Sequence, residues 1–317
     1  MKIERAATVV KANSESVKKL ALEAGFAKAG IAAPEVDVEI KARFAEWLSK
    51  GFSADMSWME ENAEKRVDPK KVMPEARSVV SLALIYNTPF RHSNDPSKGK
   101  ISRYAWGRDY HLVIQVKLKK LIANLQTEFP GSDWKGWVDT GPTMDKYWAA
   151  RSGVGWQGKH TNVLTKEIGS YFFLATLFTD LALEPDAPAR DMCGKCTRCI
   201  EACPTQAIVQ PYLLDSNRCL SYWTIEYRGE QIPSEISEKM NGWLFGCDIC
   251  QEVCPYNQKP LFSSEEDFLP YFDEPELNLK TAAEMNQTEF SRRFSKSTVK
   301  RAKRSGVVRN AKQLLAR

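Results

Sequence analysis

Cysteine is missing from the first 192 residues of this 317-residue chain, and histidine occurs only three times, as His92, His111 and His160 at unrelated positions. That scarcity leaves little material for a histidine-rich metal site. No G-x-x-x-x-G-K-[ST] string occurs, so a phosphate loop of that kind is excluded. Long apolar runs are absent as well. The longest, Tyr171 to Phe178, falls far short of the roughly 20 residues a bilayer requires. The opening Met1-Lys2-Ile3-Glu4-Arg5 has no apolar core of the secretory type, and a cytoplasmic protein without a membrane segment is expected. Acidic residues vanish from Arg292 to Arg317, where ten Lys and Arg stand; without them the net charge of +5 becomes −5. The basic character therefore belongs to the tail, either as a phosphate-attracting segment or as a solvated helix face.

What is present describes a globular protein, with 43% hydrophobic and 27% charged residues. Val17, Leu20, Ala21 and Ala24 follow the helical repeat, Gly25 can close that helix, and Phe26 to Ala32 reads as a short strand. Ser78 to Tyr86 and Tyr171 to Thr179 are nearly continuous apolar runs, as in buried central strands. Between them, Asp109 to Phe129 is amphipathic, and Trp137-Val138 runs into the turn Asp139-Thr140-Gly141-Pro142. The expected class is α+β, a mixed α/β body. Its expected segments are 1–185, a cysteine-rich module at 186–261 opening after Glu184-Pro185-Asp186-Ala187-Pro188, and a helical basic tail at 262–317, with an acidic stretch before the tail proper.

All eight cysteines lie between Cys193 and Cys254. Cys193-x-x-Cys196-x-x-Cys199-x-x-x-Cys203-Pro204 is a complete bacterial-ferredoxin run. The second set is Cys219 followed by Cys247-x-x-Cys250-x-x-x-Cys254-Pro255. A cubane needs a thiolate at each of four irons. Close-set cysteines in one loop reach three, and the Cys-Pro cysteine ligates the other cluster. Two 4Fe–4S clusters are thus expected, one on Cys193, Cys196, Cys199 and Cys254, the other on Cys219, Cys247, Cys250 and Cys203. Disulfides do not suit a cytosolic chain with this spacing, and zinc sites use other spacings.

Val138-Asp139-Thr140-Gly141 has the look of an aspartic protease string, but that chemistry needs two such carboxylates and the chain has one copy. Asp139 reads instead either as a turn-capping residue or as a strand-end acid, which partial shielding from water would let act as a proton donor. His111 reads as a surface or packing residue, and Lys159 as phosphate-pairing or solvated.

Several strings together resemble the epoxyqueuosine reductase family. They are Glu64-Lys65-Arg66-Val67-Asp68-Pro69, Arg103-Tyr104-Ala105-Trp106-Gly107-Arg108-Asp109-Tyr110-His111, Val138-Asp139-Thr140-Gly141-Pro142, Gly153-Val154-Gly155-Trp156-Gln157-Gly158-Lys159 and Gly169-Ser170-Tyr171, with Asp191-Met192-Cys193-Gly194, Tyr222-Trp223-Thr224-Ile225-Glu226 and Leu244-Phe245-Gly246-Cys247-Asp248-Ile249-Cys250-Gln251. The resemblance implies a modified nitroreductase-like, cobalamin-binding body, a ferredoxin-like module and reduction of epoxyqueuosine to queuosine at the tRNA wobble position. It implies Asp139 as proton donor and Arg66, Ser102, Asp139, Val163, Ser221, Cys247 and Asp248 near cobalamin. The Asp-x-His-x-x-Gly cobalamin signature is absent, since Asp109-Tyr110-His111-Leu112-Val113-Ile114 ends in Ile; histidine-ligated cobalt is not expected. The expected partners are the anticodon stem-loop of a tRNA and an external electron donor such as a flavodoxin or ferredoxin, with the enzyme a monomer. Tyr222, Trp223 and Tyr227 are expected to stack on a base or corrin, or to pack between domains. The competing readings are a cobalamin-dependent reductive dehalogenase, which predicts an export leader or membrane tether, and a non-enzymatic electron-transfer subunit.

Overall fold

The structure is a computed structural model that describes residues 2–271 and 275–317, with side chains from residue 7 onward. Part of the expected acidic stretch, at 272–274, lies outside the described residues.

The N-terminal body is built on α1 (Lys2–Glu23), β1 (Lys28–Ala32), α2 (Val38–Ser49) and β2 (Ser78–Ile85). It continues through β3 (Lys98–Ile101), α3 (Tyr110–Glu128), β4 (Trp134–Trp137), α4 (Asp145–Arg151) and β5 (Phe172–Thr179). The main sheet has the order β1-β2-β5-β4, every pair antiparallel. The two apolar runs are its central strands, in register Ser81↔Thr176. Alternation explains why they are apolar throughout. Val80, Leu82 and Leu84 meet Ile114, Leu118, Leu121 and Leu125 of α3 and Val17 and Ala21 of α1 on one face. On the other, Val79 packs with Trp148 and Phe178, and Ala83 with Ala149 and Val163. Helices thus cover both faces, and α4 brings its first residues under the site described below.

A second sheet, β6-β3-β7, joins β3 to β6 (Trp243–Phe245), which runs parallel to it, and to antiparallel β7 (Glu276–Asn278). Its three strands come from all three expected segments, so at this sheet those segments form one packed unit.

The tail continues as α5 (Leu279–Glu284), α6 (Gln287–Phe294) and α7 (Lys303–Leu315). It is not merely a solvated basic face. Phe290, Phe294, Val299, Ala302, Val307 and Ala311 share a core with Ile101, Trp106 and Phe245. Between body and tail, the short helices Arg198–Glu201 and Ile249–Glu252 follow the two cysteine loops and pack together. Among the described residues no helix is long and apolar enough to cross a membrane.

Candidate active site

A cavity of about 800 Å³ opens between the α+β body and the cysteine-bearing segment. The structure brings Arg66, Ser102, Asp139, Val163, Ser221, Cys247 and Asp248 to its wall, although they are scattered over 183 positions of sequence. Each is placed by a local device. Val163 stands on the short hairpin Trp156–Gln157/Val163–Leu164. Ser221 opens the single π-helical turn Tyr222–Glu226, an irregularity frequent at functional sites. Ser102 donates to Asp248 Oδ1 at 2.5 Å, and the Arg103 amide donates to Asp248 Oδ2 at 2.7 Å. Burial pushes the Asp248 carboxyl up to about 6 against those two hydrogen bonds. Gly246 precedes Cys247 with φ +71°, and a Cβ there would stand 2.5 Å from Ser102 Cβ, so this close approach requires glycine.

Asp139 sits just past β4 in the left-handed region, φ +59°, a costly conformation for a side-chain-bearing residue and one that clusters at functional sites. The expected shielding from water is absent: its side chain is 69% exposed. Its carboxylate instead accepts from the Tyr110 hydroxyl at 2.5 Å, and His111 Nε2 lies 3.8 Å away. Behind His111, Asp109 caps α3, accepting from the His111 amide at 3.1 Å, and contacts His111 Nδ1 at 2.7 Å. Lys300 of the tail reaches Asp109 Oδ2 at 2.8 Å. Burial would raise the Asp109 carboxyl, but hydrogen bonds from His111 and Lys300 overcome it and hold the group down at about 2. His111 packs on the Tyr110 ring, with centroids 4.1 Å apart, and in that position it is also the neighbour of Asp139.

The Asp139 loop is clamped from outside. Arg66 Nη1 lies 3.4 Å from the Gly141 carbonyl and 3.3 Å from that of Thr143. Beyond the loop, α4 presents Asp145 and Lys146 to the cavity. Asp145 is half-buried at the cavity wall, and burial pushes its carboxyl up to about 7. The Thr176 hydroxyl, donating at 2.5 Å, and the Arg66 charge oppose the rise, and the Asp139 charge adds to it. Lys146 is exposed and donates to Asn162 Oδ1 at 3.0 Å. The surrounding protein lowers its ammonium, while Asp139, Cys250 and Cys219 act to raise it.

All eight cysteines are free. Burial pushes the Cys199 thiol up to about 11, and Cys193, Cys254 and Cys196 add to the rise. Burial also raises Cys250, and the thiols that add to it are Cys219, Cys203 and, last, Cys199. For Cys247 they are Cys250 and Cys219. Of the eight, Cys247 lines the cavity. Among the described residues no three Cys, His, Asp or Glu side chains gather as a single-ion site; a cubane spreads its thiolates around a whole cluster.

Residues 66–140 match the family described as epoxyqueuosine reductase QueG, DUF1730, and residues 192–257 match the 4Fe-4S double cluster binding domain. An epoxyqueuosine reductase of Synechocystis sp. is 44% identical over 274 residues, covering 86% of this chain and 94% of its own. The chain belongs to the epoxyqueuosine reductase family. It is an oxidoreductase carrying 4Fe–4S clusters, which sets aside both the non-enzymatic subunit and the dehalogenase reading. Two solved epoxyqueuosine reductases share its fold, each covering 95% of this chain and 80% of its own. One was crystallised with an epoxyqueuosine-modified tRNA-Tyr stem loop (33% identity, TM-score 0.89). The other, from Bacillus subtilis, has its catalytic aspartate loop swung out of the active site (32% identity, TM-score 0.86).

For a member of the epoxyqueuosine reductase family, sequence reasoning missed Tyr110, Asp145 and Lys146 as site residues. Tyr110 stood only as one member of a longer family string, Asp145 and Lys146 fell outside every quoted string, and only tertiary contact brings the three to the cavity. Tyr222, Trp223 and Tyr227 pack on one another, with centroids 4.5–6.3 Å apart, and do not line the cavity. Gly153-Val154-Gly155-Trp156-Gln157-Gly158 has the spacing of a dinucleotide fingerprint, but it leads from α4 into a hairpin rather than from a strand into a helix, so the phosphate-cradling geometry is not formed.

Proposed function

We propose that this chain reduces epoxyqueuosine to queuosine at the wobble position of a tRNA, and that the cavity holds cobalamin beside the second cluster. The observation that carries this reading is the meeting at one wall of Asp139 with Cys247, a proton-donor candidate and a cluster-ligand candidate. The residues suit a large, partly polar cofactor. Arg66 and Thr143 both line the cavity, and their buried Nε and Oγ1 atoms have no protein partner. Buried polar atoms are rarely left so unless a ligand or water completes them. Ser102, Val163, Ser221, Cys247 and Asp248 would form the rest of that cradle with Arg66 and Asp139.

Cys193, Cys196, Cys199 and Cys254 hold one cluster in this reading, and Cys219, Cys247, Cys250 and Cys203 the other. An external one-electron donor, a flavodoxin or ferredoxin, supplies the first. The chemistry bound cobalamin supplies is a reduced-metal nucleophile strong enough to open an epoxide. Conversion of the epoxide to an alkene consumes two electrons and two protons and releases water, and the single oxygen takes up one proton for each of its two C–O bonds that breaks. Asp139 delivers these protons. Tyr110 fixes its carboxylate by hydrogen bonding, Arg66 fixes the loop that carries it, and His111, anchored by Asp109, returns a proton to it. The exposure of Asp139 leaves its loop room to close on the base and exclude water. Exposed Arg292, Lys296 and Lys303 of the tail contact stem phosphates. The protein acts as a cytoplasmic monomer in three segments, 1–185 carrying the cofactor, 186–261 the clusters and 262–317 the basic tail.

Anaerobic reconstitution with iron, sulfide and cobalamin, followed by gel filtration and metal analysis, tests this. About eight irons and about one cobalt per chain are expected. Full iron loading without retained cobalt would overturn the cobalamin assignment.

A further inference from the structure

Lys159 neither pairs with a phosphate nor stays solvated. It is 8% exposed, on the loop between the two strands of the short hairpin. Its ammonium donates to the Gly194 carbonyl at 2.7 Å and to the Cys196 carbonyl at 2.9 Å, both within the Cys193–Cys199 loop. No carboxylate lies within ion-pair reach of it among the described residues. The nearest acidic residue along that loop, Asp191, is already engaged by the Cys193 amide and the Tyr212 hydroxyl. A buried charge without a counter-charge is costly. Two carbonyl dipoles satisfy two of its three protons but leave the charge itself unbalanced. A 4Fe–4S cluster with four thiolates is an anion, and net charge close to a cluster is one of the factors that set its potential.

We propose that Lys159 is a positioning residue that serves as the buried counter-charge of the cluster on Cys193, Cys196, Cys199 and Cys254, and that it makes this cluster easier to reduce. The proposal rests on that ligand assignment. Taking up one electron from the external donor, with no proton gained and no bond broken, adds one negative charge to the cluster. A fixed cation stabilises the reduced form more than the oxidised form, so the equilibrium moves toward reduction. The same ammonium ties the cluster loop to the hairpin that carries Val163 on the cavity wall. One side chain thus links the electron-entry cluster to the active-site body.

The test is an anaerobic redox titration of the reconstituted full chain, followed by electron paramagnetic resonance, for the native protein, Lys159→Gln and Lys159→Arg. Gln keeps hydrogen-bonding capacity without charge, and Arg keeps the charge. With about eight irons retained, Lys159→Gln is expected to make one of the two clusters at least about tenfold harder to reduce, a shift of about 59 mV or more to the negative for a one-electron couple. Lys159→Arg is expected to stay close to the native potential. Both potentials unchanged in a fully loaded Lys159→Gln protein would overturn the proposal. If Lys159→Gln retains only about four irons, Lys159→Arg decides. Full loading and a near-native potential support the counter-charge; loss of the same cluster there shows a purely steric anchor and overturns it. A native chain that loads fewer than about eight irons faults the ligand assignment instead.

Discussion

A carboxyl drawn out of water resists ionisation, and Asp145, half-buried at the start of α4, stands in that position. Its group is raised to about 7 in the fold, against about 3.9 for an unfolded aspartate. A folded-state value above the unfolded one gives stability that is fully present below about pH 4 and lost as pH rises to about 7. Asn keeps an acceptor for Thr176 and removes the titration. Asp145→Asn is therefore expected to gain up to about 4 kcal/mol over the native chain at pH 8. At pH 4 it should gain nothing, as read by thermal unfolding midpoints at both values. An equal effect at the two would show that Asp145 does not titrate in this window. Asp139 differs from Asp145 in kind. It is largely exposed at the cavity and held by Tyr110, which suits a group that must meet a substrate.

At the scale of elements, α7 shows how the tail belongs to the site. Asn310 donates to the Thr224 carbonyl at 3.0 Å and to the Leu244 carbonyl at 2.9 Å. It thereby ties the π-helical turn after Ser221 to β6, which leads into Cys247. Arg309 beside it donates to the carbonyls of Trp223, Tyr227 and Gly229. Asn310→Leu keeps the volume roughly but strands buried carbonyls, and is expected to cost about 3 kcal/mol. Urea unfolding reads this loss; a change under about 0.5 kcal/mol would show that α7 is not tied in through Asn310. Such ties are invisible in sequence because they join residues 66 and 86 positions apart. The central strands β2 and β5 were legible because burial on both faces writes a continuous apolar run. Strand β3, Lys-Gly-Lys-Ile, was not. Gly99 lies so close under Leu279 and Leu244 that a Cβ would stand 2.7–2.8 Å from them, and the lysines on either side mask a strand paired on both edges.

Across the whole molecule, legibility followed the chemistry. The cysteines announce their clusters because thiolate spacing is a covalent requirement, and the turn at Asp139 announces itself by composition. The Tyr110–His111–Asp109–Lys300 network did not, because it needs α3 and the tail to meet. The basic tail divides its cations between two surroundings. Its exposed cations face solvent, while Lys300 and Arg301 reach inward to Asp109 and Glu226. In the proposed reaction these parts meet: electrons arrive through the cysteine module, and protons arrive through Asp139. The most direct measurement is single-turnover reduction of an epoxyqueuosine stem-loop RNA by the fully loaded native chain and by Asp139→Asn matched for iron, cobalt and RNA affinity. Conversion to queuosine by the native chain is expected, with a loss of about a hundredfold or more in the variant, as on removing a positioned general acid. A native rate in the Asn variant would contradict it.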